Sequence, residues 1–492
     1  MGKIDAASNG AIALVADSSE NINMNLGGYG NLSLGAVGNV AFSGNLTNAA
    51  GQPYRLGGGG GTLTLNTTFA DPTAAVAISG PGTVRLGATS LANRDLTLNN
   101  GTLDLNGQKL ILANGNTLSG AGTVSGSVLG NGGSAIVATG DLALGDPASY
   151  TGFNHAGTLD VGGNSVTLNS KQFANLGVST TLSGGTLGAP NGVSIGVGCA
   201  LSGSGTVNGK IAAGFGSTIN ATGNLNLGDS TSPVGFVSNG ELYTNNNTVT
   251  LNSAAAAGNK NAVVLGSLTQ IEGGTLAAPN GFLLANGNNL ISNTGGTVSN
   301  VTGGTNSRFL NRGNVQGPAA GPSWLTFYIP FKGSTGVTGG RIGFLDGFST
   351  GDSPGINTHN GDMLLGGVSE FDLGGETPGN GDSYYGQLNV TGSLSLQPGA
   401  TFSLVDWNDF MPNVGEQFTI LTWGGSLSGA GNAAFSVDPF FAQHGISFAP
   451  QWQSNSLVVV AVPEPSTLVL LGIGALGLLG WTWRRRNMGG QE

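Results

Sequence analysis

The chain reads as an all-β protein: a parallel β-helix, then a smaller β-rich terminal module, then a single C-terminal transmembrane helix. Three observations predict this. Gly-Thr-Leu or Gly-Thr-Val recurs at near-constant spacing, a longer block returns almost verbatim, and only 8% of residues are charged while Gly accounts for 91 of 492. A Gly-rich, charge-poor chain is disordered when it has too little to bury, but here 39% of residues are hydrophobic and stand in regular alternation.

The short repeat is the first element. Its triplet begins at Gly61, Gly82, Gly101 and Gly122, spacings of 21, 19 and 21, and recurs at Gly157, Gly185, Gly205, Gly274 and Gly296. That spacing is the length of one solenoid coil, so the Leu or Val of each unit is expected to point inward and stack from coil to coil. Outward positions carry Thr, Asn and Asp, and Asn-Gly or Gly-Gly takes the corners, where positive φ is needed.

The longer repeat overlies it. Leu118 to Val128 (LSGAGTVSGSV) returns as Leu201 to Ile211 (LSGSGTVNGKI), and Ala138 to Asp146 (ATGDLALGD) as Ala221 to Asp229 (ATGNLNLGD), both at an offset of 83. Asn164 to Ser170 keeps the same offset to Asn247–Ser253, whereas Gly184 to Gly192 finds Gly273 to Gly281 at 89. A duplicated unit of four coils, about 118–200 and 201–290, with six residues inserted near Ala254 to Ala257, accounts for this. Residues 1–306 are thus expected to be solenoid.

Beyond it the texture changes. Pro318, Pro322 and Pro330 interrupt a cluster of Trp324, Phe327, Tyr328 and Phe331, which suits a junction over 307–341. Aromatic-rich strands such as Thr401–Val405 and Gln417–Leu421 then predict a β-module over 342–461, sandwich-like or a modified solenoid end, that caps the last coil.

The tail, 462–492, is different again. Pro463-Glu464-Pro465 precedes an apolar run over 467–483, followed by Arg484, Arg485 and Arg486. At about 1.5 Å per residue the run would extend roughly 26 Å as a helix, the short end of a bilayer span. Trp481 and Trp483 supply an interfacial belt, and the Arg cluster places the C-terminus in the cytoplasm. This order of features closely resembles the PEP-CTERM sorting signal of Gram-negative bacteria. The resemblance implies that Pro463, Glu464 and Pro465 are read by a membrane protease of the exosortase type, which removes the helix and leaves the body at the cell surface or outside the cell. The repeat region, through Tyr54–Leu63 (YRLGGGGGTL) and its Gly-Gly-Thr-Leu units, is similar to autotransporter-associated β-strand repeat proteins, which implies a passenger-like β-helix. An exported precursor should begin with a signal peptide, and Met1 to Asn25 shows none, so residue 1 is expected to lie inside the body.

Candidates for chemistry are few. Gly192-Val-Ser194-Ile-Gly196 spells a nucleophile elbow but no helix follows it, and Gly472 to Gly477 mimics a dinucleotide loop inside the apolar run. His155, His359 and His444 lack metal-ligand spacing and read as turn or surface residues. Cys199 reads as a small core residue. Asp346, Asp352 and Asp362, with Asn357 and Asn360, form the densest oxygen-ligand group, a calcium candidate for which turn formation is the better account. Asp104, Asp160 and Glu241 stand far apart in the coil count, against a catalytic face. With 25 acidic against 15 basic residues, nucleic acid is not an expected partner. The expectation is an exported, non-enzymatic surface scaffold or adhesin without cofactor, whose partners are the sorting protease, the bilayer and extracellular polysaccharide. A β-helix polysaccharide-degrading enzyme is the alternative.

Overall fold

The computed structural model describes residues 8–25, 31–254, 262–300, 307–333, 336–351 and 354–488, with backbone alone for helical residues 465–471 and 485–488. Two compact units result: Met1–Asn280 with Val301–Asn306, and Gly281–Asn300 with Ser307–Glu492.

The first unit is a parallel β-solenoid. Its pairing already begins at Ala11–Leu14, which lies against Ser33–Ala36. The Gly-Thr-Leu units stack in register: Leu63 pairs with Val84, Val84 with Leu103, Leu103 with Val124 and Val124 with Leu144, so partners are 21, 19, 21 and 20 residues apart. All of these side chains are fully buried. Each such Leu or Val contributes about 1.5–3 kcal/mol of burial. Leu168 continues this column beyond Leu144, and two residues earlier in the strand Leu142, Val166, Leu187, Val207, Leu227 and Leu251 form a neighbouring column. The unit at Gly157 belongs elsewhere: Leu159 pairs with Ile136, in a second column.

That second column carries the duplication. Leu118 reaches Leu201 through Ile136, Leu159 and Thr180, four parallel pairings that span the offset of 83. The corners repeat too. Asn164 Nδ2 donates to the carbonyls of Ala138 (2.9 Å) and Val161 (3.2 Å), and Asn247 Nδ2 does the same to Ala221 (3.2 Å) and Thr244 (3.1 Å). Gly120 and Gly203 stand at φ +119° and +129°, where an added Cβ would lie 1.9 Å from Leu98 O and 2.0 Å from Leu182 O. Both positions therefore exclude any side chain. Of the expected insertion, Ala254 is described and residues 255–261 lie outside the described residues.

In the second unit the region read as a junction is coil. Phe309–Asn311, Leu325–Tyr328 and Phe331–Gly333 each pair in parallel with the next coil, and Pro318, Pro322 and Pro330 sit between strands, where no ladder N–H is required. The aromatic side chains are the reason. Phe282, Phe309, Phe331 and Phe348 form an internal ladder with ring centroids 5.3–5.8 Å apart, and Phe327 and Phe344 a second one at 5.4 Å. Parallel coils continue through Val368–Leu373, Thr401–Asp406 and Ala434–Val437. Only the end departs from this pattern. Ser456–Pro463 runs antiparallel between Gln417–Trp423 and Ile446–Trp452, beside a short helix at Pro439–Gln443 capped by Asp438. The module is a modified solenoid end, not a sandwich.

Candidate functional site

The last strand, Ser456–Pro463, is buried from Ser456 to Val459 and again at Ala461, with Leu457, Val459 and Ala461 fully buried. Ala461 is held from the loop side as well: its N–H donates to Glu416 O (2.9 Å) and its carbonyl accepts from Gly415 N–H (2.7 Å). Pro463 is the last strand residue and faces Ile446. The Glu464 N–H donates to Gly445 O at 2.8 Å, and a helix begins at the next residue, Pro465. Pro463 and Glu464 are half-buried. The motif residues thus bridge a closed sheet and a helix with no spacer.

That helix, Pro465–Met488, is 24 residues long, longer at both ends than the expected 467–483. The expected membrane span is not supported here: among the described residues, no helix is long and apolar enough to cross a membrane. Leu476, Leu478, Leu479 and Trp483 are nonetheless 64–71% exposed, Trp481 is 57% exposed, and Arg484 is exposed. Arg485 and Arg486 continue the helix. The Gly472–Gly477 pattern is helical throughout, so no phosphate loop exists there.

The other sequence candidates scatter. Ser194 lies mid-strand in Val193–Ile195, paired with Ala212, so it is no elbow. Asp362 is committed to Arg341 (3.1 Å) and to Ser393 N–H (2.9 Å), Asp346 is exposed, and Asp352 lies outside the described residues. No group of three metal-ligating side chains occurs among the described residues. Asp104 pairs with Arg85 (2.7 Å), Asp160 accepts from Thr181 Oγ1 (3.0 Å), and Glu241 accepts from the Tyr243 hydroxyl (2.7 Å). Cys199 is half-buried at a turn closed onto Gly196 O, not a core residue.

Two histidines are corrected from surface to core. His359 is fully buried; its Nε2 donates to Gly340 O and Asp362 O, both at 3.0 Å, which leaves Nδ1 to accept from Thr338 Oγ1 at 3.0 Å. His155 Nε2 lies 2.9 Å from Thr158 O. Burial holds both imidazoles below their ordinary pKa and therefore neutral.

Two features escaped sequence reasoning. On Val368–Leu373, Glu370 and Asp372 alternate onto one face, and burial, with Glu370 adding repulsion, raises Asp372 to about 6 against the pull of Lys332. In the first unit, exposed Tyr150 carries the Lys171 ammonium 4.2 Å above its ring, and exposed Phe173 lies over bare Gly192 beside the Lys210 stem. The available signal was the duplication itself: at the offset of 83, Tyr150 and Lys171 become Pro233 and Ala254, so the coil does not require them.

No curated protein matches the chain. Residues 461–486 match the family model of the PEP-CTERM protein-sorting motif. The chain therefore ends in a PEP-CTERM sorting motif, a signal that exosortases recognise and that implies export to the cell surface.

Proposed function

We propose that this protein is a non-enzymatic β-solenoid scaffold or adhesin of the cell surface or extracellular matrix, delivered there by its tail. The observation that carries the reading is a match to the sorting motif over 461–486, placed where the solenoid closes. The body fits a passenger role of the autotransporter-associated kind, since its regularity is that of a spacer and its scattered carboxylates are tied to neighbours. The exposed apolar helix holds the precursor at the bilayer, beside the protease, until it is cut away. Replacing Glu464 with Ala, or deleting Arg484 to Arg486, is expected to leave uncleaved precursor in the membrane fraction. Processing and release unchanged in both variants would make the tail an ordinary anchor.

Extracellular polysaccharide is the proposed partner, and the stripe of Tyr150, Lys171, Phe173 and Lys210 supports it. Exposed rings stack on sugar faces, and ammonium groups attract acidic sugars to a body that is otherwise net negative. Tyr150→Ala with Phe173→Ala should reduce co-sedimentation with acidic polysaccharide at least several-fold, and salt should weaken what remains.

A glycan-cleaving enzyme has one observation in its favour. Glu370 and Asp372 stand roughly 7 Å apart by strand geometry, near the separation an inverting pair requires. Asp372, raised to about 6, has the character of a general acid. Release of reducing ends from extracted polysaccharide, abolished in Asp372→Asn, would establish this alternative.

A further inference from the structure

The sorting signal and the folded body share residues. Pro463 ends a strand paired with Ile446, Glu464 donates its N–H to Gly445 O at 2.8 Å, and the helix starts at Pro465. A protease takes its substrate as an extended, unpaired backbone, so one of the two flanking elements has to open.

The two sides do not resist equally. Peeling the strand back past Pro463 breaks the Glu464 bond and the pairing to Ile446, and then reaches Ala461, fully buried and bonded to both Glu416 and Gly415. Each buried polar group left without its partner opposes that step. On the other side, the first four N–H groups of a helix have no partner within it, and proline at its first position has no N–H at all. Helix ends open with little loss.

We propose that the chain is cut on the helix side of Pro465, within the first helical turn (Pro465 to Leu468), so that the mature body retains Pro463, Glu464 and Pro465 as its C-terminus with the last strand still paired. This rests on the reading of the tail as a processed sorting signal. In the hydrolysis the peptide C–N bond breaks. The carbonyl carbon takes the hydroxyl of water, and the departing nitrogen takes the proton and becomes the amino terminus of the released helix. The fold thereby sets the cleavage register: the protease reads a Pro-Glu-Pro that the body presents rigidly.

The full chain, produced in a Gram-negative host that sorts such proteins, tests this by mass spectrometry of the mature C-terminal peptide. An end between Pro465 and Leu468 is expected. An end at Glu464 or upstream overturns the proposal while leaving the sorting reading intact, whereas a chain that is never cut sinks the sorting reading itself. A second variant checks the strand. Ser447→Cys with Val462→Cys, at positions opposite one another in the register, staples the last two strands when oxidised. Processing within twofold of wild type is expected. A slowing of tenfold or more that reductant reverses would show that the strand must peel.

Discussion

The first unit fills its interior mainly with Leu and Val, the second adds ladders of phenyl rings to such aliphatic residues, and the difference shows which part of a coil is free to vary. In the first unit, the partners from Leu63 to Leu144 keep a spacing of 19 to 21 residues, and elsewhere the spacing runs from 18 (Leu118 to Ile136) to 27 (Val249 to Leu276). In the second, Phe309, Phe331 and Phe348 are 22 and 17 residues apart, and Ser369, Phe402 and Phe435 are 33 apart. Strand spacing in a ladder is set by backbone hydrogen bonds at about 4.8 Å, so the strands stay in register while extra residues leave as loops. Interior volume is constrained differently. Aliphatic columns duplicate as a block because each methyl-rich layer fits the next, whereas rings stacked at 5.3–5.8 Å depend on the neighbours that orient them.

The largest effect should come from the aromatic ladder. Phe331 contacts the rings of Phe309, Phe327, Phe344 and Phe348, and Phe331→Ala should cost about 3–5 kcal/mol, at or above the loss for Leu187→Ala in the first unit, whose range is about 2–5 kcal/mol. Hydrogen exchange resolved along the chain is the fitting measurement, because repeat arrays need not unfold in two states. A smaller local loss at Phe331 than at Leu187 would break the contrast between the interiors.

Next come the corner glycines. Gly120→Ala and Gly203→Ala each force a Cβ onto a carbonyl oxygen at positive φ, so each should lose roughly 1–3 kcal/mol, and by similar amounts. Unequal losses would mean that the two copies no longer share a backbone.

A change of comparable size but opposite sign belongs to Asp372. Because its folded pKa of about 6 lies above the ordinary value of 3.8, the folded state resists ionisation. The penalty is absent below about pH 4, grows as pH rises, and is complete above about pH 6. With Glu370 and Lys332 facing it, Asp372→Asn should gain on the order of 2 kcal/mol at pH 7.5 and nothing at pH 4, as read from paired denaturation curves. A gain that does not depend on pH would show that the carboxylate is not strained.

The smallest effect is at the surface. Arg85 and Asp104 pair at 2.7 Å across neighbouring coils, yet the Arg side chain is 48% exposed, so Arg85→Ala should cost about 0.5 kcal/mol or less. A larger loss would make outward ladders as important as the interior.

Much of this was legible in the residues themselves. The spacing of Gly-Thr-Leu units determined coil length and inward faces, because period-two alternation and a fixed ladder leave one way to bury those Leu and Val side chains. The offset of 83 pointed to a repeat of four coils, and the pairings from Leu118 to Leu201 span that offset in four steps. The tail announced itself by composition and order. Tertiary structure decided the rest. Proline and aromatic residues over 307–341 read locally as an interruption, and only the neighbouring coils supply the layers that turn Phe309, Phe327 and Phe331 into core. His155 and His359 look like turn residues until the tertiary structure buries them, His359 with both ring nitrogens hydrogen-bonded and His155 with its Nε2 on Thr158 O. That Pro463 is a strand residue depended on Ile446, seventeen positions upstream, because a strand is defined by the partner it pairs with and not by its own side chains.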